Sequence, residues 1–271
     1  MPIFRFALTF ATVLLISIIA GAHATAAAND LEFAESTALK SILCEDMSSA
    51  SAQRVSATLL ECKSYYVTHP DVKPASCLVK SVSGHTVSLT LTGCKTSRLA
   101  SPTSGVFVSG ELVTGSVKAA FIKNATGLHV HTTGSGLKIG TDTLAVDDTT
   151  TYHVVGSIET ISDSHSSSGA DSLGHSVSNT GSFTSVSDTS ALCLTVNGNW
   201  KLESDGLKSS VAATNLKHCM ARGIWSCPSG TITMTDISAN KSTATYYNGT
   251  NTATLRLPNG GSELIPLPCG P

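Results

Sequence analysis

Apolar and polar residues alternate with a period of two along most of this chain. In TVSLTLTG, residues 86–93, Val87, Leu89 and Leu91 form one set and Thr86, Ser88, Thr90 and Thr92 the other. TITMTD at 231–236 repeats the scheme. So does TATLRLPNG at 252–260, with Ala253, Leu255 and Leu257 set against Thr252, Thr254 and Arg256. Successive side chains of a strand point to opposite faces, so this pattern predicts antiparallel strands with one buried face and one wet face. Asn197-Gly198, Asp205-Gly206, Asn248-Gly249 and Asn259-Gly260 read as hairpin turns, because tight turns need positive φ. The strands are expected to follow one another as a meander from about residue 76 to the end.

The front of the chain has a different period. Asn29 stands three residues before Glu32, a capping pattern, and Leu31, Ala34, Ala38, Ile42 and Met47 recur at near-helical spacing. A second helical stretch is predicted from Ser48 or Ser49, with Val55, Leu59, Cys62 and Tyr66 on one side. HPDVKP at 69–74 ends it, since proline cannot continue a helix.

Residues 161–190 depart in another way. Twelve of these thirty are serine, and Leu173, Val177, Phe183 and Val186 are too sparse to bury much core. A disordered linker or a polar hairpin at a sheet edge is expected, and the residual alternation of TGSFTSVS at 180–187 favours the hairpin. The fold class is therefore mainly β: a large twisted antiparallel meander sheet or sandwich behind a short N-terminal helical hairpin. The expected divisions are a leader at 1–28, a helical segment at 29–72 and a β domain at 73–271 with a Ser-rich insert at about 161–190. No fixed internal repeat is visible, which argues against a regular solenoid.

The leader follows from the first residues. Arg5 precedes the 16-residue run Ala7–Ala22, apolar except for small hydroxyl side chains, and AHATAAAND holds three A-x-A sites. This is the pattern of a cleaved secretory signal peptide. A membrane-spanning helix needs about 20 apolar residues, so cleavage rather than anchoring is expected. No cysteine precedes Cys44, which leaves a bacterial lipoprotein without its attachment residue. The ending PLPCGP lacks the terminal aromatic of an outer-membrane barrel strand. The mature chain is thus expected to be exported, to the periplasm or the cell surface, with no transmembrane segment.

Charge narrows the partners. Only 13% of residues are charged and the net charge is −2. Losing Arg5 makes it −3, with no basic stripe for nucleic acid. The eight cysteines are Cys44, Cys62, Cys77, Cys94, Cys193, Cys219, Cys227 and Cys269. An even number in an exported chain predicts four disulfides, and the spacing into two groups of four predicts pairing within each group. No C-x-x-C pair supports a zinc ribbon or a redox motif.

The chain resembles a group of uncharacterised exported β-meander proteins of the Gram-negative cell envelope. The residues carrying the resemblance are VSLTLTGC at 87–94, SGELVTGSVKAAFI at 109–122 and CLTVNGNWKL at 193–202. CPSGTITMTD at 227–236, ATYYNGTNTATLRLPNGG at 244–261 and LIPLPC at 264–269 continue it. The resemblance is one of order and texture. It implies a short helical stretch before one large twisted sheet, and an envelope location, but no activity. The missing lipid-attachment cysteine and the Ser-rich insert depart from the commonest pattern.

Catalytic motifs are absent. The chain has no G-x-S-x-G elbow among its 39 serines, no H-E-x-x-H and no phosphate-cradling G-x-x-x-x-G-K-[ST]. The one metal-like pattern is GLHVHTTG at 127–134, where His129 and His131 project from one strand face. His153 or Asp142 would have to supply a third ligand. A cupin-like site also wants a preceding glycine and a following acid, but Lys123, Ser135 and Gly136 stand there. Leu128 and Val130 claim the buried face, so both imidazoles are expected on the polar one. Cys219 and Cys227 around Trp225 suggest either a disulfide-closed binding loop or a structural staple. Threonine pairs at i and i+2 raise ice binding as a rival, but without a repeat the rows are not expected to align. The function expected is therefore non-catalytic, structural or surface-interacting, with no cofactor. An adhesin-like module for an envelope glycan or another envelope protein is one alternative, and a metal-dependent site at His129 and His131 is the second.

Overall fold

The computed structural model describes residues 30–43, 76–95, 112–170, 173–204, 206–221, 224–237, 240–267 and 269. They form one helix and one antiparallel sheet. The helix is α1 (Asp30–Leu43). The strands are β1 (Leu78–Ser83), β2 (Thr86–Lys95), β3 (Leu112–Asn124), β4 (Gly127–Ile139), β5 (Asp142–Val155), β6 (Ile158–Ala170) and β7 (Ser176–Asp188). They continue with β8 (Cys193–Ser204), β9 (Leu207–Ala221), β10 (Ile224–Trp225), β11 (Ser229–Asp236), β12 (Lys241–Asn248), β13 (Thr252–Arg256) and β14 (Ser262–Pro266). Thirteen strands lie in chain order across an open sheet, and the two-residue β10 pairs only with the end of β9. The result is a meander and not a sandwich of two sheets.

Alternation sets the two faces. Val87, Leu89 and Leu91 are buried while Thr90 and Thr92 are exposed, and Ala253 and Leu255 repeat the pattern near the other edge. The buried face runs as one cluster from Phe33 and Val87 to Leu267. α1 covers it over β2 to β5, burying Phe33, Ala34 and Ala38. Phe33 stacks on Tyr152 with ring centroids 5.3 Å apart. Two ion pairs tie the helix to strands, Lys80–Glu35 at 2.6 Å and Lys123–Asp30 at 2.9 Å.

Several expectations change. Only one helix is present among the described residues, so a helical hairpin is not supported; its second arm, like the leader at 1–28, falls outside them. Asn197-Gly198 is not a turn. It lies within β8, at a register shift against β9 where Asn197 Oδ1 accepts the Asn215 backbone N–H at 2.7 Å. Two of the hairpins are instead closed by Gly-x pairs, Gly140-Thr141 and Gly156-Ser157, with φ of 61° at both glycines. The Ser-rich stretch is neither a linker nor an edge. It is the hairpin β6–β7 in the middle of the sheet, paired over thirteen residue pairs within itself and flanked by β5 and β8.

Candidate functional surface

The central strands present two polar surfaces, one to solvent and one to the interior. Because β5 to β8 pair without a register shift, outward residues line up across them. One row reads His131, Thr149, Ser164, Ser182, Asn199. The next reads His129, Thr151, Ser162, Thr184, Asn197, and another Thr133, Asp147, Ser166, Thr180, Lys201. Neighbouring rows stand about 6.8 Å apart and neighbouring strands about 4.8 Å. The hydroxyls thus form an uncharged field with Asp147 and Lys201 beside it. Ser162 and Thr184 are within hydrogen-bond reach of each other at 3.4 Å. The alignment comes from serine and threonine together. Thr231, Thr233 and Thr235 of β11 face solvent, whereas Thr243 and Thr245 of β12 oppose Met234 and Ile232 on the other face.

His129 and His131 sit on this wet face, as the burial of Leu128 and Val130 requires. His129 Nε2 is 2.8 Å from Thr126 Oγ1 and its Nδ1 is 3.2 Å from Thr151 Oγ1. His131 Nε2 pairs with Asp147 Oδ1 at 2.8 Å, in solvent. His153 shares the face, one diagonal step from His129, since His129 opposes Thr151. Asp142 is nine residues from Thr151 along β5, about 30 Å. Among the described residues no group of three His, Cys, Asp or Glu side chains is placed to hold a metal ion.

The interior surface was not anticipated. The inner set of β6 is Ile161, Asp163, His165 and Ser167, all buried. Asp148 opposes His165, and its Oδ1 is hydrogen-bonded to His165 Nδ1, with both side chains at 0% exposure. Thr150 opposes Asp163 and donates to its Oδ1 at 2.6 Å. His165 next opposes Gly181, which opposes Trp200. Lacking a side chain, Gly181 lets the Trp200 indole pass over it and stack on His165, with centroids 5.3 Å apart and planes 19° apart. Trp200 Nε1–H donates to Asn179 Oδ1. Phe183 lies over Gly198 in the same manner. The sequence signal was the pair Gly181-x-Phe183 and Gly198-x-Trp200, which cross when the two strands pair in antiparallel register.

Burial moves several titrations. It lowers the His218 imidazole below 6.5 and raises the Tyr247 phenol above 10. Burial also raises the Glu159 carboxyl and, with help from the Glu159 charge, the Tyr152 phenol. Asp188 moves down instead, held chiefly by the Ser190 hydroxyl and then by the Ala191 backbone N–H.

Three disulfides are described, Cys77–Cys94, Cys193–Cys219 and Cys227–Cys269, each within one of the two expected groups. Cys44 and Cys62 lie outside the described residues. Cys219 and Cys227 are therefore not joined to each other, and no disulfide closes the loop around Trp225. No helix among the described residues is long and apolar enough to cross a membrane. No family model matches the chain, and no curated protein or solved structure is similar to it.

Proposed function

We propose that this chain is a non-catalytic exported protein that works by contact, with the hydroxyl field of β5 to β8 as its working surface. The observation that carries the reading is the unbroken register of these strands, which gathers Thr149, Ser162, Ser164, Ser166, Thr180, Ser182 and Thr184 into one field. Short hydroxyl side chains hydrogen-bond as donor or acceptor and lose little rotamer freedom when a partner settles on them. The field carries no charge of its own, which suits an uncharged partner such as an envelope glycan. Further support comes from the leader-like N-terminus, the three disulfides and the resemblance to envelope β-meander proteins.

The test is a sedimentation assay of the mature chain on peptidoglycan and on whole-envelope material. Saturable binding is expected, lost on Ser164→Glu with Ser182→Glu. Binding that never saturates, or that ignores this double substitution, would refute the field as the working surface.

A further inference from the structure

The three disulfides sit in different surroundings. In two of them one cysteine is buried, Cys94 or Cys227, and its half-buried partner, Cys77 or Cys269, packs against the core. Cys193 and Cys219 belong to the outward set, between the buried Leu194 and His218 and the solvent, and are only half-buried.

Their backbone placement differs as well. Cys77 precedes β1 and its carbonyl accepts the Thr92 N–H, so Cys94, two residues further along β2, is not its direct opposite; the Cys77 and Cys94 Cα atoms are 5.3 Å apart. Cys227 and Cys269 lie outside the paired strands, with Cα atoms 5.2 Å apart. Cys193 and Cys219 instead oppose each other directly on β8 and β9. The Met220 N–H bonds the Leu192 carbonyl, while the Cys219 N–H and carbonyl bond Ser226 on the far side. The cysteines therefore occupy a non-hydrogen-bonded pair, where a sheet brings Cα atoms to about 4.5 Å. Disulfides favour about 5.5–6 Å, and departures make the bond more reducible. Here the Cα atoms are 4.0 Å apart.

We propose that Cys193–Cys219 is a thiol-exchange site, opened in the folded protein by a dithiol, while the other two described disulfides are structural. A reductant thiolate attacks one Sγ, the Cys193–Cys219 bond breaks and the second sulfur leaves as thiolate. The reductant's other thiolate then displaces the first cysteine. Two electrons pass, the reductant becomes a disulfide, and Cys193 and Cys219 take up protons as two thiols. The sheet survives because β8 and β9 stay paired from Val196–Leu216 to Ser204–Leu207 without the bond.

The test is a dithiothreitol titration of the folded mature protein, quenched with N-ethylmaleimide, with labelled cysteines mapped by mass spectrometry. Cys193 and Cys219 are expected to be labelled at about tenfold less reductant than Cys77, Cys94, Cys227 and Cys269, a gap of about 30 mV. The far-UV dichroism should be unchanged at that point. Labelling of all three pairs together, or of this pair only after the sheet unfolds, overturns the proposal. The double variant Cys193→Ser/Cys219→Ser is expected to fold and to lose only the early labelling; unfolding of that variant would also count against it.

Discussion

Under α1 the buried face of β2 to β4 is built from Val87, Leu89, Leu91, Val117, Ala119, Leu128 and Val130. A few strands further on, the same face holds Asp148, Thr150, Asp163, His165, Ser167 and Asn179 around one tryptophan. Both regions exclude water, but they are stabilised by different means. The first gains roughly in proportion to the apolar area it removes from water and tolerates any filler of the right volume. The second gains only if every partner is in place, because a buried charge left alone costs far more than the pair contributes. The polar region is thus the more specific of the two and the more easily broken.

Removing one partner is expected to have the largest effect. His165→Ala should destabilise by about 4 kcal/mol in urea unfolding, since it breaks the buried Asp148–His165 pair from one side. Leu89→Ala, at an equally buried position of the apolar region, should cost about 3 kcal/mol. The sharper comparison is the double variant Asp148→Leu/His165→Leu, which should recover most of the single loss because neither member of the pair is left buried without the other. A double variant as unstable as His165→Ala would show that shape, and not charge, dominates there.

The apolar region was the readable one. Val87, Leu89 and Leu91 declare their face by type, and so do Ala253 and Leu255; the chain-order meander follows from such strands joined by short turns. SDSHSSS at 162–168 alternates just as strictly, but both of its sets are polar. Only the neighbouring strands, not type, decide that Asp163 and His165 go inside. Asn197-Gly198 misled for a related reason. Its turn chemistry was overridden because Gly198 is needed as the empty place beneath Phe183. The histidines of GLHVHTTG could be assigned to the wet face from Leu128 and Val130, while their partners Thr126, Thr151 and Asp147 depend on a register that only the folded sheet reveals.

Filling the space beneath Trp200 probes the polar region without touching its charges. A Cβ at position 181 would run into the indole, so Gly181→Ala should cost about 2 kcal/mol and weaken the near-ultraviolet dichroism. An unchanged stability would mean that Trp200 does not need its place on His165.

Further along the same face, His218 supplies a pH dependence. Burial lowers its folded pKa below the ordinary 6.5, so the unfolded chain binds more protons in that window. Its stabilising contribution is complete above pH 6.5 and is lost as pH falls through the folded value. Glu159 has the opposite sign: its raised pKa favours the folded state on the acid side and fades as pH rises through the folded value. The slope of stability between pH 7 and 5 should therefore flatten in His218→Gln, in denaturation curves taken at several pH values. A slope identical to that of the native chain would remove His218 as its source.

The smallest effect belongs to the other side of the same strands. Ser164 and Ser182 oppose each other on β6 and β7 and point to solvent, one residue away from the buried His165 and Phe183. Water satisfies a hydroxyl there as well in the unfolded chain as in the folded one. Ser164→Ala with Ser182→Ala should therefore change stability by no more than about 0.5 kcal/mol. The contrast with His165→Ala, one position along β6, makes the pair diagnostic. A large loss from the alanines would mean that the outer hydroxyls hold the strands together, and the field would then belong to the fold. A negligible loss, with weakened binding to envelope material, would separate the two faces cleanly: the inner set keeps the sheet in register, and the register in turn lines up the outer set for a partner.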